Sequence, residues 1–345
     1  MPTKYRDIIY KLEKELRQMR HDGRSKLPTE AQLCAEFDCS RQTVRAALSD
    51  LEQRGLIVRK RGSGSYLADS SNSRSDTVVF ICEDEDEYTY PALISLLRTQ
   101  LKPHKLKLVC RSTHASLESE HQILTDLITT PPAAVIIEPY CNIIPDPNLK
   151  LIEQLSDKGV PVTYLFTSYG VPTGSICITE DNYGGAQQLI RHLASAGHTR
   201  IAGIFRCDDS RGLERYDGYI NTLSELGLSI DVPHLMLTGA DRRSLLKKDD
   251  SILKTFVNGI GDCTAVICQN DEIAYRLLKL IGSKVAVVSF DDSYYAASDK
   301  GAITSLAHDN KSLVDTVVKA VIAGIEHKKF KGEPVGWKLK KRKSG

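Results

Sequence analysis

No apolar run in this 345-residue sequence approaches the roughly 20 residues that a bilayer-crossing helix needs, so no membrane span is expected. The opening stretch, MPTKYRDIIYKLEKELRQMR, interleaves charge with apolar side chains and lacks the uninterrupted apolar core of an export signal. The expectation is a cytoplasmic protein. Its nine cysteines include no CxxC pair and no Cys/His cluster at zinc-ligand spacing, a pattern that reads as reduced, mostly buried thiols and no metal. GxSxG, HExxH and Walker-type phosphate loops are absent as well. The common hydrolase, metalloprotease and nucleotide-hydrolysing classes therefore find no support, and neither catalysis nor a cofactor is expected.

What is present is an ordinary globular composition, 41% hydrophobic and 26% charged, with charge unevenly spread. Residues 1–70 hold 14 Lys plus Arg against 10 Asp plus Glu, a net +4, while the remainder holds 32 against 34, a net −2. An anionic partner is expected for the small basic end alone. The tract DSSNSRSD, residues 69–76, has no apolar residue and reads as a linker between a domain over 1–68 and a larger one over 77–345.

In the first domain, Tyr5, Ile8, Ile9, Leu12 and Leu16 recur at helical spacing. A second helix is expected from an N-cap at Thr29, with Glu30 in its first turn and Ala31, Leu33, Cys34 and Phe37 on its apolar side. After DCS, Ser40 caps a third helix with Val44, Ala47, Leu48 and Leu51 inside, ending at Gly55. LIVRKRGSGSYLA then alternates like a hairpin around a Gly-Ser-Gly turn. Two helices joined by a tight turn, followed by a basic hairpin, have the layout of a winged helix-turn-helix, whose second helix enters the major groove of double-stranded DNA by its N-terminal end. Arg41, Gln42, Thr43 and Arg45 stand where side chains reach base edges and phosphates, and Ser40 is both cap and phosphate contact. Arg59, Lys60 and Arg61 beside Gly62 and Gly64 supply cations and close backbone approach from the wing. Taken singly, Arg41 and Arg45 read as a solvated helix face; the coincidence of three features favours DNA.

The stretch LPTEAQLCAEFDCSRQTVRAALSDLEQRGLIVRKRGSGSYLA resembles the winged-helix domain of the GntR family of bacterial transcription regulators. The resemblance implies operator contacts from Ser40, Arg41, Thr43, Arg45 and Gly64, with Arg24 and Glu30 as further ones.

Beyond the linker, TVVFIC, LKLVC, AAVIIE, VPVTYLF, SICIT, RIAGIF, LMLT, TAVICQ and KVAVVSF read as strands alternating with helices, an α/β pattern of doubly wound parallel sheets. A break at YGVPTG suggests two lobes, roughly 77–173 plus 304–328, and 174–303 plus 329–345. The helix over DNKSLVDTVVKAVIAGIEH reads as core in preference to dimer face, and Tyr164 and Phe166 read as core too. Ligands of such sheets lie at the carboxyl ends of the strands. There the sequence places EDEDEYTYP, PY, RCDDS, NDE and DDSYY: carboxylates, amides and tyrosines suited to a neutral polyol, whose hydroxyl pairs take hydrogen bonds and whose C–H faces take aromatic rings.

GHTRIAGIF, RYDGY, AVICQNDEIA and VAVVSFDDS resemble the periplasmic-binding-protein-like sensor domain of the LacI/GalR family, as does the closing KRKS. That resemblance implies effector contacts from Arg215, Asn270 and Asp291, together with Tyr88, Glu138, Asp181, Arg206 and His308. Each has a plainer reading: Arg215 paired with Glu214 or Asp217 on a solvated helix, Asn270 as a helix cap only, Asp291 with Asp292 in a turn. The pairing of the two domains, with the phrases DEYTYP, VIIEPY, DDSRG and QNDEIAYRLL, is similar to the arabinose-responsive repressors of Gram-positive bacteria. It implies a homodimer on a palindromic operator, on the nucleoid when bound, released by a pentose such as L-arabinose; a hexose, nucleoside or purine is the alternative effector.

Overall fold

The computed structural model describes residues 8–9, 11–12, 15–16, 19, 25–53, 56–60, 63–67, 75–230, 234–239, 249–298 and 302–345. The linker's residues 69–74, Gly55 and three of the expected DNA contacts, Arg24, Arg61 and Gly62, lie outside them.

In the first domain, the described helical residues Ile8, Leu12, Leu16 and Met19 are buried against Leu33, Val44, Leu48, Leu51 and Ile57. Helix α1, Glu30–Phe37, starts in a capping box in which Thr29 and Gln32 satisfy each other's backbone N–H. Asp38 ends it in the left-handed region at φ 45°, turning the chain into α2, Arg41–Gln53. Ala31, expected inside, is exposed; Leu33, Cys34 and Phe37 carry the contact. Strands β1, Ile57–Lys60, and β2, Gly64–Leu67, pair antiparallel with Ile57 opposite Leu67 and Lys60 opposite Gly64.

The larger domain begins with β3, Thr77–Cys82, and continues through α3, Tyr90–Leu101; β4, Lys107–Ser112; α4, Leu117–Thr129; β5, Ala134–Ile137; α5, Leu149–Asp157; β6, Val162–Leu165; and β7, Ile176–Ile178. These strands form one parallel sheet, in the order β4-β3-β5-β6-β7. After α6, Asn182–Ser195, come β8, Ile201–Arg206; α7, Ser210–Glu225; β9, Leu235–Thr238; α8, Ser251–Gly259; β10, Ala265–Cys268; α9, Asp271–Ile281; β11, Ala286–Asp291; α10, Tyr294–Ala297; and β12, Thr304–Ala307. Helix α11, Asn310–Ile325, and β13, Lys338–Lys340, complete the chain. The second sheet runs β13-β12-β11-β10-β8-β9, parallel except for β13. Its parallel strands repeat the order of the first sheet, so both switch points, β3/β5 and β8/β10, open toward a shared cleft.

All nine strands expected in this domain form, and β12 and β13 add two more. The lobe boundaries shift accordingly. Residues 176–178 join the first sheet and 304–307 the second, so the chain crosses between lobes a few residues later at each point than expected. The hydrogen-bonded register decides this: β7 pairs with β6 and β12 with β11. Helix α11 returns to the first lobe, where Leu313, Val314, Val317, Val318 and Val321 pack with Val78, Phe80 and Ile136 as core. No helix among the described residues is long and apolar enough to cross a membrane. None of the nine cysteines is in a disulfide; only Cys82, Cys263 and Cys268 are fully buried, fewer than expected. Among the described residues no cluster is arranged to hold a metal.

Candidate functional sites: a cationic reading face and an inter-lobe cleft

On α2, Arg41, Gln42 and Arg45 are exposed and Thr43 is half-buried. Ser40 accepts the Thr43 backbone N–H at 3.2 Å, and its hydroxyl shares a 2.9 Å hydrogen bond with the Thr43 hydroxyl, which fixes the first turn. Glu30 accepts Arg45 Nε at 2.9 Å through one carboxylate oxygen and Arg59 Nη2 at 2.9 Å through the other. One side chain of α1 thus ties the reading helix to the wing. In the wing, Lys60 Nζ lies 5.1 Å above the Tyr66 ring, while Gly64 holds φ 113°, which a side chain would strain.

The cleft between the two sheets is lined by carboxylates, guanidinium groups and aromatic rings, the side-chain types that fix a small polar ligand. Tyr88, Arg206, Arg215, Asn270, Asp291 and His308 all line it. Arg215 is 7% exposed; it donates from Nε to Asn182 Oδ1 at 3.0 Å and from Nη1 to the Gln269 carbonyl at 2.6 Å. Its guanidinium lies 4.0 Å from the Phe290 ring centre and 5.2 Å from that of Trp337. It is therefore a clamped cation, with no solvated pairing to Asp217 or Glu214. Asn270 does cap α9, accepting the Ile273 N–H at 3.1 Å, and it lines the cleft at the same time. Asp291 stands at φ 102° and Asp292 at φ 50°, in a region that non-glycine residues rarely occupy. Tyr88 from the first lobe donates its hydroxyl to Asp291 at 2.6 Å across the cleft.

His308 bridges two buried carboxylates: Nδ1 donates to Glu180 at 2.6 Å and Nε2 lies 3.5 Å from Asp291. Burial opposes its charge, but Glu180 and Asp291 outweigh burial and raise its pKa to about 10, so it is an imidazolium at neutral pH. Burial likewise works against Asp291, whose carboxyl is nevertheless held below its ordinary value by His308 and Arg215.

Glu138 accepts Arg211 Nη2 from the other lobe at 2.7 Å and also the Tyr90 hydroxyl. It lines a second chamber, which shares Arg206 and Asp209 with the first. Arg206 pairs with Asp208 at 3.3 Å and Asp209 at 3.5 Å. Burial works against Asp209's charge, yet Arg211 and Arg206 hold its carboxyl well below the usual range.

Asp181 departs from expectation. It is exposed and caps α6 through the Gly184 N–H at 2.9 Å, outside the cleft. Turning back to cap the helix takes its side chain away, and its neighbours face inward instead: Glu180 to His308, Asn182 to Arg215. The structure adds Asp209, Arg211, Phe166 and Gln269 to the lining. Arg211 lies in the DDSRG phrase already singled out. Phe166 is core as expected, buried with Phe80 and Leu165, and it lines the cleft as well because it follows β6 at φ 64°; the run VPVTYLF had counted it as part of the strand.

Residues 4–67 match the bacterial regulatory proteins of the gntR family, and residues 190–344 a periplasmic binding protein-like domain. The chain is 25% identical to the arabinose metabolism transcriptional repressor of Halalkalibacterium halodurans, over 95% of this chain and 91% of that protein. It is 26% identical to the repressor of the same name from Geobacillus stearothermophilus, over 90% and 87%. Among solved structures, the complex of the transcriptional regulator CelR with cellobiose superposes with a TM-score of 0.67 at 23% identity, covering 88% of this chain and 90% of that one. This chain carries a gntR-family helix-turn-helix domain followed by a periplasmic-binding-protein-like domain, and in that pairing it resembles the arabinose metabolism repressors.

Proposed function

We propose that the protein is a transcriptional repressor whose hold on double-stranded operator DNA is released by a small sugar bound between the lobes of its larger domain. The observation that carries this reading is the convergence of Arg215, Asn270, Asp291 and Tyr88 on one cleft in a chain headed by an exposed Arg41–Gln42–Arg45 face. On that face Arg41, Gln42 and Arg45 meet base edges and phosphates, with Ser40 and Thr43 fixing the helix start, and Arg59, Lys60 and Gly64 follow the backbone from the wing. Glu30 acts by aiming Arg45 and Arg59, since a carboxylate facing phosphates is repelled.

In the cleft, carboxylates and the Arg215 guanidinium bond hydroxyls, and the Phe166 and Tyr88 rings cover apolar sugar faces. A pentose is the first choice, L-arabinose foremost; its support is the name borne by the two chain-long relatives. Two chains pair as a homodimer, so that two reading faces meet the halves of a palindrome. The lobes touch through Tyr88 with Asp291 and Arg211 with Glu138, contacts that a sugar on the same side chains strengthens or replaces. Binding shifts DNA affinity only through the sugar's differential affinity for the two lobe arrangements, typically about 1–3 kcal/mol.

A thermal-shift panel of pentoses, hexoses and nucleosides tests the ligand. At a hundredfold excess over Kd a true ligand adds about 2.7 kcal/mol, a rise of several degrees. A shift with nucleosides and none with sugars overturns the sugar reading, and a shift with hexoses alone overturns the pentose.

A further inference from the structure

The inter-lobe cleft has two chambers, and the proposed sugar contacts of Arg215, Asn270, Asp291 and Tyr88 lie in the inner one. The outer chamber begins beyond the Arg211–Glu138 bridge and shares Glu83, Arg206 and Asp209 with the inner one as a common wall. Its far side is built from Thr113, which follows β4, a strand whose end the inner chamber does not use, and from the segment Pro139–Ile144 after β5.

That segment is held from both lobes. The buried Glu120 carboxylate accepts the Tyr140 N–H at 2.7 Å, the Thr167 hydroxyl donates to the Asn142 carbonyl at 3.4 Å, and Asn142 Oδ1 accepts the Ser210 N–H of the second lobe at 3.0 Å. A loop anchored in this way presents its side chains without a large ordering cost on binding. Two of those side chains are apolar and open, Tyr140 at 43% and Ile144 at 56% exposure. They stand in one chamber with Glu83, Glu138, Arg206 and Asp208. An aromatic and an aliphatic side chain among carboxylates and a guanidinium match the two kinds of surface on a sugar ring, C–H faces and hydroxyl edges. The outer chamber repeats the chemistry of the inner one.

We propose that the outer chamber is a second sugar subsite, so that the cleft takes a ligand of two linked rings, one on each side of the Arg211–Glu138 bridge. The proposal rests on the sugar-binding reading of the inner chamber. Tyr140 provides the platform for the second ring and Thr113 a hydroxyl beneath it.

The test is calorimetric titration of the full chain with L-arabinose, D-xylose and D-glucose, each beside the disaccharide made of it. At least one disaccharide binds about tenfold more tightly than its monosaccharide. Tyr140→Ala, at an exposed position whose anchoring N–H is retained, removes that gain and leaves the monosaccharide unchanged; Thr113→Val, which keeps the volume, reduces the gain in the same selective way. If monosaccharides bind and no disaccharide binds more tightly, or if Tyr140→Ala weakens both equally, the second subsite is overturned and the inner reading stands. If no sugar of either length binds, both fall together.

Discussion

Arg45 in the reading helix leaves 65% of its side chain in solvent, whereas Arg215 in the cleft is 7% exposed and gripped by Asn182, Gln269 and two aromatic rings. The same residue type serves opposite purposes. A polyanion such as DNA supplies its own countercharge, so the head keeps its cations solvated and aims them with one carboxylate, Glu30. A neutral sugar, the ligand proposed above, supplies none: Arg211 is balanced in advance by Glu138 and Asp209 and His308 by Glu180 and Asp291, while Arg215 is held by the oxygens of Asn182 and Gln269 and by the two rings. Substitutions in the cleft should therefore disturb stability and ligand affinity together, and those in the head should disturb DNA affinity alone.

The largest effect is expected at His308. Replacing it by Gln leaves two buried carboxylates without their cation and costs about 3 kcal/mol of stability near pH 6. Because the folded pKa is raised from 6.5 to about 10, the contribution of the histidine is whole below about pH 6.5 and drains away as the pH rises toward 10. Denaturation of both proteins across that range should show the gap closing; a gap independent of pH contradicts the assignment. Next comes Asp291→Asn, which removes the charge that receives the Tyr88 hydroxyl and, in the function proposed above, a sugar hydroxyl. Sugar affinity should fall about a hundredfold with DNA affinity kept, as titration calorimetry and gel shift would read.

Arg45→Ala is the mirror experiment, with DNA binding weakened about tenfold or more and sugar affinity unmoved. The smallest effect is expected at Glu30→Gln. Solvent-screened ion pairs are worth less than about 1 kcal/mol, so loosening Arg45 and Arg59 should weaken DNA binding about threefold. An increase in affinity would mean that Glu30 acts by repelling phosphate, with no part in aiming the two arginines.

The two regions also differed in how far they could be read in advance. The head is contiguous: cap, turn, reading helix and wing follow one another within some forty residues, and each announces itself by a local signal such as the Thr29 cap or the Gly64 turn. The cleft is assembled from the ends of many strands. The strand-end rule found the stretches that hold Tyr88, Arg206, Asn270 and Asp291, because apolar runs mark where strands stop, and the family resemblance singled out those residues within them. It missed β12, whose Thr304 and Ser305 are buried polar residues, covered between β11 and the edge strand β13, and interrupt any apolar run. The Ser305 hydroxyl is used to bond the buried Asp271 carboxylate, a tertiary partner invisible along the chain. Asp181 failed for a related reason: in a stretch of adjacent polar residues, which one caps the helix and which two face inward is decided by backbone geometry at single-residue resolution.

The central claim is the coupling of the cleft to the reading face, and one measurement addresses it directly. A duplex selected from random DNA by the full-length protein is titrated with and without a saturating sugar that raises the melting temperature. The account predicts that the sugar weakens DNA binding at least about fivefold in the wild type and has no effect in Asp291→Asn. A sugar that binds the cleft tightly and leaves DNA affinity unchanged would contradict it.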